Sequence, residues 1–240
     1  VFSNFMPDHL NYYSDMQSYF EDKAFLFRHQ KAGDSLFIGE SLTQLVGEAR
    51  PPVPAVVPPK IPSDWQLQVP GEHNRENAAL AAAALRVLAI SDADIRAGLE
   101  SYAGIEGRLQ FVKDIASVHI INDNNATTPA ATLAALATTQ AEKTVLIMGG
   151  ADKGLEMGEL VAAAKRCKGV VLLKGTGTER IKNGLPGAAV VESLTQAMEV
   201  ARELTVAGDT ILFSPAFASF GVFKNEYDRN DQFLNVISAL

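Results

Sequence analysis

The chain has 240 residues, 47% of them hydrophobic, and a formal net charge of −7. That much apolar content excludes a disordered chain and allows one large or two ordinary domains. The acidic balance excludes a broad nucleic-acid surface, which needs a basic stripe, but leaves room for a local cationic pocket. A single cysteine, Cys167, excludes an internal disulfide and fits a reducing compartment. No apolar run approaches the length of roughly 18 residues that a membrane-spanning helix needs. The opening "VFSNFMPDHLNYY" lacks the basic stretch and apolar core of a signal peptide. It also lacks an initiator methionine and starts as though in mid-strand, so the expectation is a fragment.

In chain order, "PDHLNYY" places Asp8 and His9 just after a first strand. A lone histidine is more often structural than a ligand. "DMQSYFEDKAFLFRHQ" has the apolar spacing of an amphipathic helix, through Met16, Tyr19, Phe20 and Phe27. Lys23 falls on that apolar face, spaced with Phe20 and Phe27, where it either snorkels to solvent or is held for a purpose. "SLFIG" reads as a short strand. "EARPPVPAVVPPKIPSDW", with six prolines, excludes a helix or a central strand and reads as a surface excursion. "GEHNRENAALAAAALRVLAI" resumes a strong helix, with Asn74 and Asn77 three apart on one face. Capping accounts for one of the two; a bound polar group accounts better for the pair. "SDADIRAGLESY" is a further helix with Ser91 as N-cap, and Gly104 and Gly107 loosen the chain at a domain boundary.

From there strands and helices alternate. "LQFVKDIASVHIIND" predicts a hairpin and residues 128–139 a helix. "KTVLIMGG", "GVVLLKG", "AAVV" and "DTILFSPA" are strands. The intervening helices are "MGELVAAAKRC", a short one at 179–183 and "LTQAMEVARELT", and "RNDQFLNVISAL" closes the chain. This order predicts a mostly parallel, doubly wound α/β sheet with ligands beyond the carboxyl ends of its strands.

"INDNNATTP", "GGADKG" and "SPAFASFGVFKN" all fall on that side. In the second, glycines permit close backbone approach and Lys153 offers a cation to a carboxylate or phosphate, although a solvated lysine on a tight turn is the commoner case. In the third, Ser219 either caps the following helix or offers its hydroxyl to an anion. "GTGTER" resembles a phosphate loop only superficially. No G-x-x-x-x-G-K-[ST] occurs in the chain, and no G-x-G-x-x-G follows a strand.

Taken in sequence, "FMPDHL", "YFEDKAFLF", "GEHNRENA", "GRLQF", "INDNNATTP", "GGADKG" and "SPAFASFGVFKNEYDRND" resemble the Mur ligases over essentially the whole chain. The most specific stretches, "NDNNATTP" and the last one, resemble the member that joins D-glutamate to UDP-N-acetylmuramoyl-L-alanine. The resemblance implies that residues 1–107 are the latter part of a central ATPase domain without its P-loop. Residues 108–240 would be a C-terminal dinucleotide-fold (Rossmann-like) domain. It implies ATP and Mg2+, an acyl-phosphate intermediate, and a cytoplasmic, monomeric parent enzyme serving cell-wall synthesis.

The same resemblance makes His9 and Lys23 metal-binding and catalytic, with Lys23 carbamylated; that would explain a lysine buried between phenylalanines. Asn74, Asn77, Arg108 and Asp123 would surround the adenine nucleotide, Arg108 at phosphate and Asp123 at ribose. Thr127, Lys153, Ser219 and Phe220 would form the pocket for the incoming amino acid, Lys153 also serving catalysis. Two positions depart from the pattern. Asn125 stands where some members have lysine. Glu226 falls where an aromatic residue often follows "FKN", and a carboxylate there would repel a dicarboxylate unless it faces away or pairs with a cation. Two alternatives stay open: a related ligase for another amino acid, and a non-catalytic nucleotide-binding module. As given, the chain is expected to fold from about residue 108 onward yet not to catalyse.

Overall fold

The computed structural model describes residues 1–10 and 12–240, which form two compact units, 1–103 and 104–240. In the first unit, helix α1 (Met16–Arg28) starts at a capping box in which the Asp15 carboxylate accepts from the Ser18 amide. Its buried stripe of Phe20, Ala24 and Phe27 meets Phe2, Leu36, Ile38, Leu42, Val46 and Val53. Strands β1 (Leu36–Phe37) and β2 (Ala55–Val56) pair in parallel, and Phe2 bridges to Ile38 on the other side of β1. The proline-rich stretch thus contributes two residues to the end of this small sheet, as its missing amides require. Helix α2 (Thr43–Glu48) lies between the two strands in sequence.

Helices α3 (Glu72–Val87) and α4 (Asp92–Ser101) pack a second cluster around Ile61, Trp65, Ala78, Ala82 and Ile95. The prolines are tied down from α3: the Arg75 guanidinium donates to the carbonyls of Ile61, Pro62 and Trp65. Ser91 caps α4 by accepting from the Asp94 amide.

The second unit contains a six-stranded sheet. Strands β3 (Gln110–Ile115) and β4 (Val118–Asn122) form the antiparallel hairpin, with a register shift between Phe111 and Lys113. Helix α5 (Pro129–Leu136) leads to β5 (Thr144–Gly149), then α6 (Gly158–Ala164), β6 (Gly169–Leu173), α7 (Thr176–Ile181) and β7 (Ala189–Val191). Helix α8 (Leu194–Leu204), strand β8 (Thr210–Phe213) and helix α9 (Glu226–Ser238) complete it. The order is β3-β4-β8-β5-β6-β7, parallel throughout except for the hairpin.

Alternate residues of each strand point to opposite faces. Val145, Ile147, Ile211 and Phe213 pack under α8 and α9, whereas Leu146, Met148 and Leu212 pack under α5 and α6. Burial on both faces explains the continuous apolar runs of β5 and β6. Strand β8 returns between β4 and β5, so the turns after these three strands lie side by side. Two helices begin earlier than their sequence suggested. α7 starts at Thr176, directly after Gly175, and α9 starts at Glu226 because Asn225, not a residue further on, caps it.

Candidate functional site

Backbone hydrogen bonds stitch together the turns beyond the sheet. The Asp123 amide donates to the Phe213 carbonyl at 2.7 Å and the Ala216 amide to the Ala126 carbonyl at 2.9 Å. Ala151 and Ala218 exchange two bonds, of 2.9 and 3.1 Å, and the Gly149 amide donates to Pro215. These contacts require the glycines. Gly150 has φ +142°, and a Cβ there would sit 2.3 Å from the Ala218 carbonyl oxygen. The "GTGTER" turn is packing of the same kind: a Cβ on Gly175 would meet the Gly150 carbonyl oxygen, and one on Gly177 the Phe217 ring, each at 2.3 Å.

This framework brings Lys153 to Thr127: the half-buried ammonium donates to the threonine hydroxyl over 3.2 Å. The neighbouring Thr128 is the N-cap of α5, accepting from Ala131. Ser219 follows the Ala218 bridge directly and is 3% exposed, so it is a buried group rather than an open-cleft one. The expected helix cap at Ser219 is corrected, since Asn225 has that role. Phe220 is 64% exposed. Glu226 occupies the first turn of α9, where a carboxylate suits the helix dipole, and its charge favours the protonated Arg229 guanidinium.

Asp123 is buried, with one carboxylate oxygen accepting from the Ser214 hydroxyl (2.7 Å) and the other from the Leu109 amide (3.1 Å). Burial pushes its pKa up to about 6, against the pull of these bonds and of the exposed Arg108. Of the other polar residues of "NDNN", Asn122 and Asn124 are fully buried and Asn125 is half-buried. Asn122 donates to Asn230 (2.8 Å), and Asn125 donates to the Gly107 carbonyl through its backbone and to Glu106 through its side chain. Asn124 is held by Arg229, which is fully buried. Arg229 and Asn230 escaped the sequence reading because a charged helix face ordinarily means solvent, and Ser214 because a serine at a strand end gives no sign of which way it points.

In the first unit His9 and Lys23 approach the same ring: His9 lies 5.7 Å from Tyr19, centroid to centroid, and the Lys23 ammonium 5.3 Å from its centroid. Lys23 is exposed, not buried between Phe20 and Phe27, because it falls at the rim of the apolar stripe, on the Tyr19 side. His9 has φ +56°, and its amide donates to the Asp8 carboxylate at 2.8 Å. Among the described residues no three His, Cys, Asp or Glu side chains gather as a metal cage. An ammonium at Lys23 would repel a cation, whereas a carbamate there would offer an oxygen ligand. On α3, Asn74 donates to the Pro70 carbonyl at 2.7 Å, which leaves its amide oxygen as an acceptor, and Asn77 is exposed one turn further on. No helix is long and apolar enough to cross a membrane among the described residues.

Residues 107–217 match the model of the Mur ligase glutamate ligase domain. The UDP-N-acetylmuramoylalanine–D-glutamate ligase of Roseiflexus sp. (strain RS-1) is 31% identical over 97% of the chain, and that of Myxococcus xanthus (strain DK1622) 33% identical over 99%. The chain spans 59% of the length of each. Among solved structures, the MurF ligase of Thermotoga maritima in complex with ADP aligns with a TM-score of 0.70 at 15% identity, covering 99% of the chain and 60% of that one.

Proposed function

Because the chain belongs to the Mur ligase family, we propose that it holds the D-glutamate pocket and part of the nucleotide site of an ATP-dependent ligase acting on UDP-N-acetylmuramoyl-L-alanine. Residues 1–107 are then the latter part of the central ATPase domain and 108–240 the C-terminal domain. The observation that carries the reading is the Lys153–Thr127 pair on stitched turns, with Ser219 on the third. A dicarboxylate calls for one cation and several hydroxyl donors in fixed geometry.

Bound this way, D-glutamate is oriented with its amine free to attack an acyl phosphate formed on the other substrate. Lys153 binds carboxylate and lowers the negative charge around that step. Phe220, exposed beside Ser219, closes over the aliphatic part of the amino acid. Arg108 reaches phosphate, Asp123 accepts from ribose with its remaining lone pairs, and Asn74 and Asn77 contact adenine. Mg2+, when bound, neutralises phosphate charge. Asp8, His9 and a carbamylated Lys23 would hold it. The parent enzyme is a cytoplasmic monomer on this reading.

Calorimetric titration of the 240-residue chain with D-glutamate tests the pocket, with L-glutamate and D-alanine as competitors. Saturable binding of D-glutamate that Lys153→Ala removes supports the assignment. Equal binding of D-alanine would shift it to a ligase for a different amino acid.

A further inference from the structure

The Arg229 guanidinium is 0% exposed and makes three hydrogen bonds, all to neutral acceptors. Nε donates to the Asn124 side-chain oxygen at 2.8 Å and one terminal nitrogen to the Asn124 carbonyl at 2.8 Å. The other terminal nitrogen donates to the Phe217 carbonyl at 3.1 Å. Among the described residues no carboxylate lies within ion-pair distance of it. Glu226, in the same helical turn, acts on it only through its field, and the guanidinium stays protonated at neutral pH with its pKa lowered to about 10 by burial.

A buried cation without a counter-charge is costly, and an apolar side chain of similar volume would generally serve stability better. The planar fork, however, does what an apolar residue cannot. It fixes Asn124, three residues before Thr127, and Phe217, two residues before Ser219, against one rigid group. Asn124 in turn donates to the Glu226 carbonyl at 2.9 Å, locking the turn onto α9 from the other side. Phe217 is itself pinned by its ring, which sits against Gly177.

We propose that Arg229 is a positioning residue for the amino-acid pocket, setting the separation of the turn that bears Thr127 from the loop that bears Ser219 through the geometry of its guanidinium. This rests on the assignment of Thr127, Lys153 and Ser219 to D-glutamate. Its mechanical content, that one group couples two loops, is measurable without any ligand.

Two variants separate the possibilities. Arg229→Lys keeps the charge and loses the fork. Asn124→Ala removes one of the three acceptors and is milder, so it remains informative if the lysine variant fails to fold. Hydrogen exchange of the 240-residue chain is the ligand-free measurement. In both variants the amides of Ala126, Ala216 and Ala218 are expected to exchange together, roughly ten-fold faster or more, consistent with loss of about one hydrogen bond to a charged group. Val145 to Met148 in β5 should keep their protection. Exchange that rises equally across β5, or in only one of the two loops, overturns the coupling.

D-glutamate titration at a temperature where both proteins are folded is the second measurement. Arg229→Lys should weaken D-glutamate about ten-fold or more and leave ADP affinity within about two-fold, whereas a merely structural role would weaken both. Lysine that matches arginine in both measurements shows that charge alone suffices and sinks the proposal. If the unaltered chain binds no D-glutamate, the pocket assignment falls, and hydrogen exchange alone decides whether Arg229 couples the loops.

Discussion

The two groups of candidate residues are built in opposite ways. Around Thr127, Lys153 and Ser219 the backbone is stitched between turns, the glycines are sterically obligatory and a buried arginine holds two loops. Around His9 and Lys23 the main shared element is the Tyr19 ring, and both side chains are exposed. On the proposed reading the first would be a preorganised pocket, its cost of ordering met on folding. The second would leave its side chains to be ordered by whatever it holds. A dicarboxylate must be discriminated from other amino acids, which calls for fixed donors. A metal and a carbamate bring strong, short-range forces of their own.

The most severe test of this contrast is Lys23→Ala in a ligation-competent protein carrying these residues together with a P-loop. Ligation should be abolished, and acetate or formate should restore part of it by replacing the missing oxygen ligand. Near-normal activity without the lysine would remove the metal-binding role altogether.

Gly150→Ala attacks the stitched side. Its new methyl would face a backbone carbonyl at 2.3 Å with φ +142°, so a loss of about 3 kcal/mol in a denaturant titration is expected. A variant as stable as the original would mean that the turns are free to part.

Lys153→Ala should weaken D-glutamate about ten- to hundred-fold, the effect of losing a charge-assisted contact worth about 1.5–3 kcal/mol, with little change in melting temperature. If the melting temperature falls instead while affinity holds, the lysine serves the fold.

Asp123 gives a smaller, pH-dependent effect. Its folded pKa of about 6 lies above the value of 3.8 it starts from, so the folded state binds the extra proton and stability declines as pH rises through this window. Relative to Asp123→Asn, the unaltered chain should lose about 2 kcal/mol between about pH 4.5 and pH 7. Parallel stability curves for the two proteins would show that the carboxyl is well solvated. Smallest of all is Gly154→Ala. It lies in the same turn as Gly150 with φ +72° but nothing within 4 Å of a new Cβ, so only the left-handed backbone penalty of about 1 kcal/mol should appear.

The doubly wound sheet was legible because strands buried on both faces leave runs such as "VLIM" and "VVLL", and because crossover helices separate them. Thr127, Lys153 and Ser219 stood out only as polar residues just where the strands end; the roles proposed for them come from the family resemblance. What stayed hidden was tertiary. Nothing in "NEYDRND" says that its arginine points inward while Asp228 beside it stays at the surface and accepts from the Lys224 amide. The position of Lys23 was misread for a related reason. Spacing of three and four residues identifies a stripe but does not say where the stripe ends, and Tyr19 set that limit.

The two borders of the large sheet carry one more consequence. Strand β3 lies at one end with a register shift between Phe111 and Lys113 and an exposed Asp114, and β7 at the other is three residues long. A kinked, charged border and a very short one are poor templates for a strand from another molecule. The most apolar strands, β5 and β6, sit inside, paired on both sides. A second copy has no long, flat row of free amides and carbonyls to extend, so this unit should resist fibrillar self-association even at the concentrations that crowd a cell.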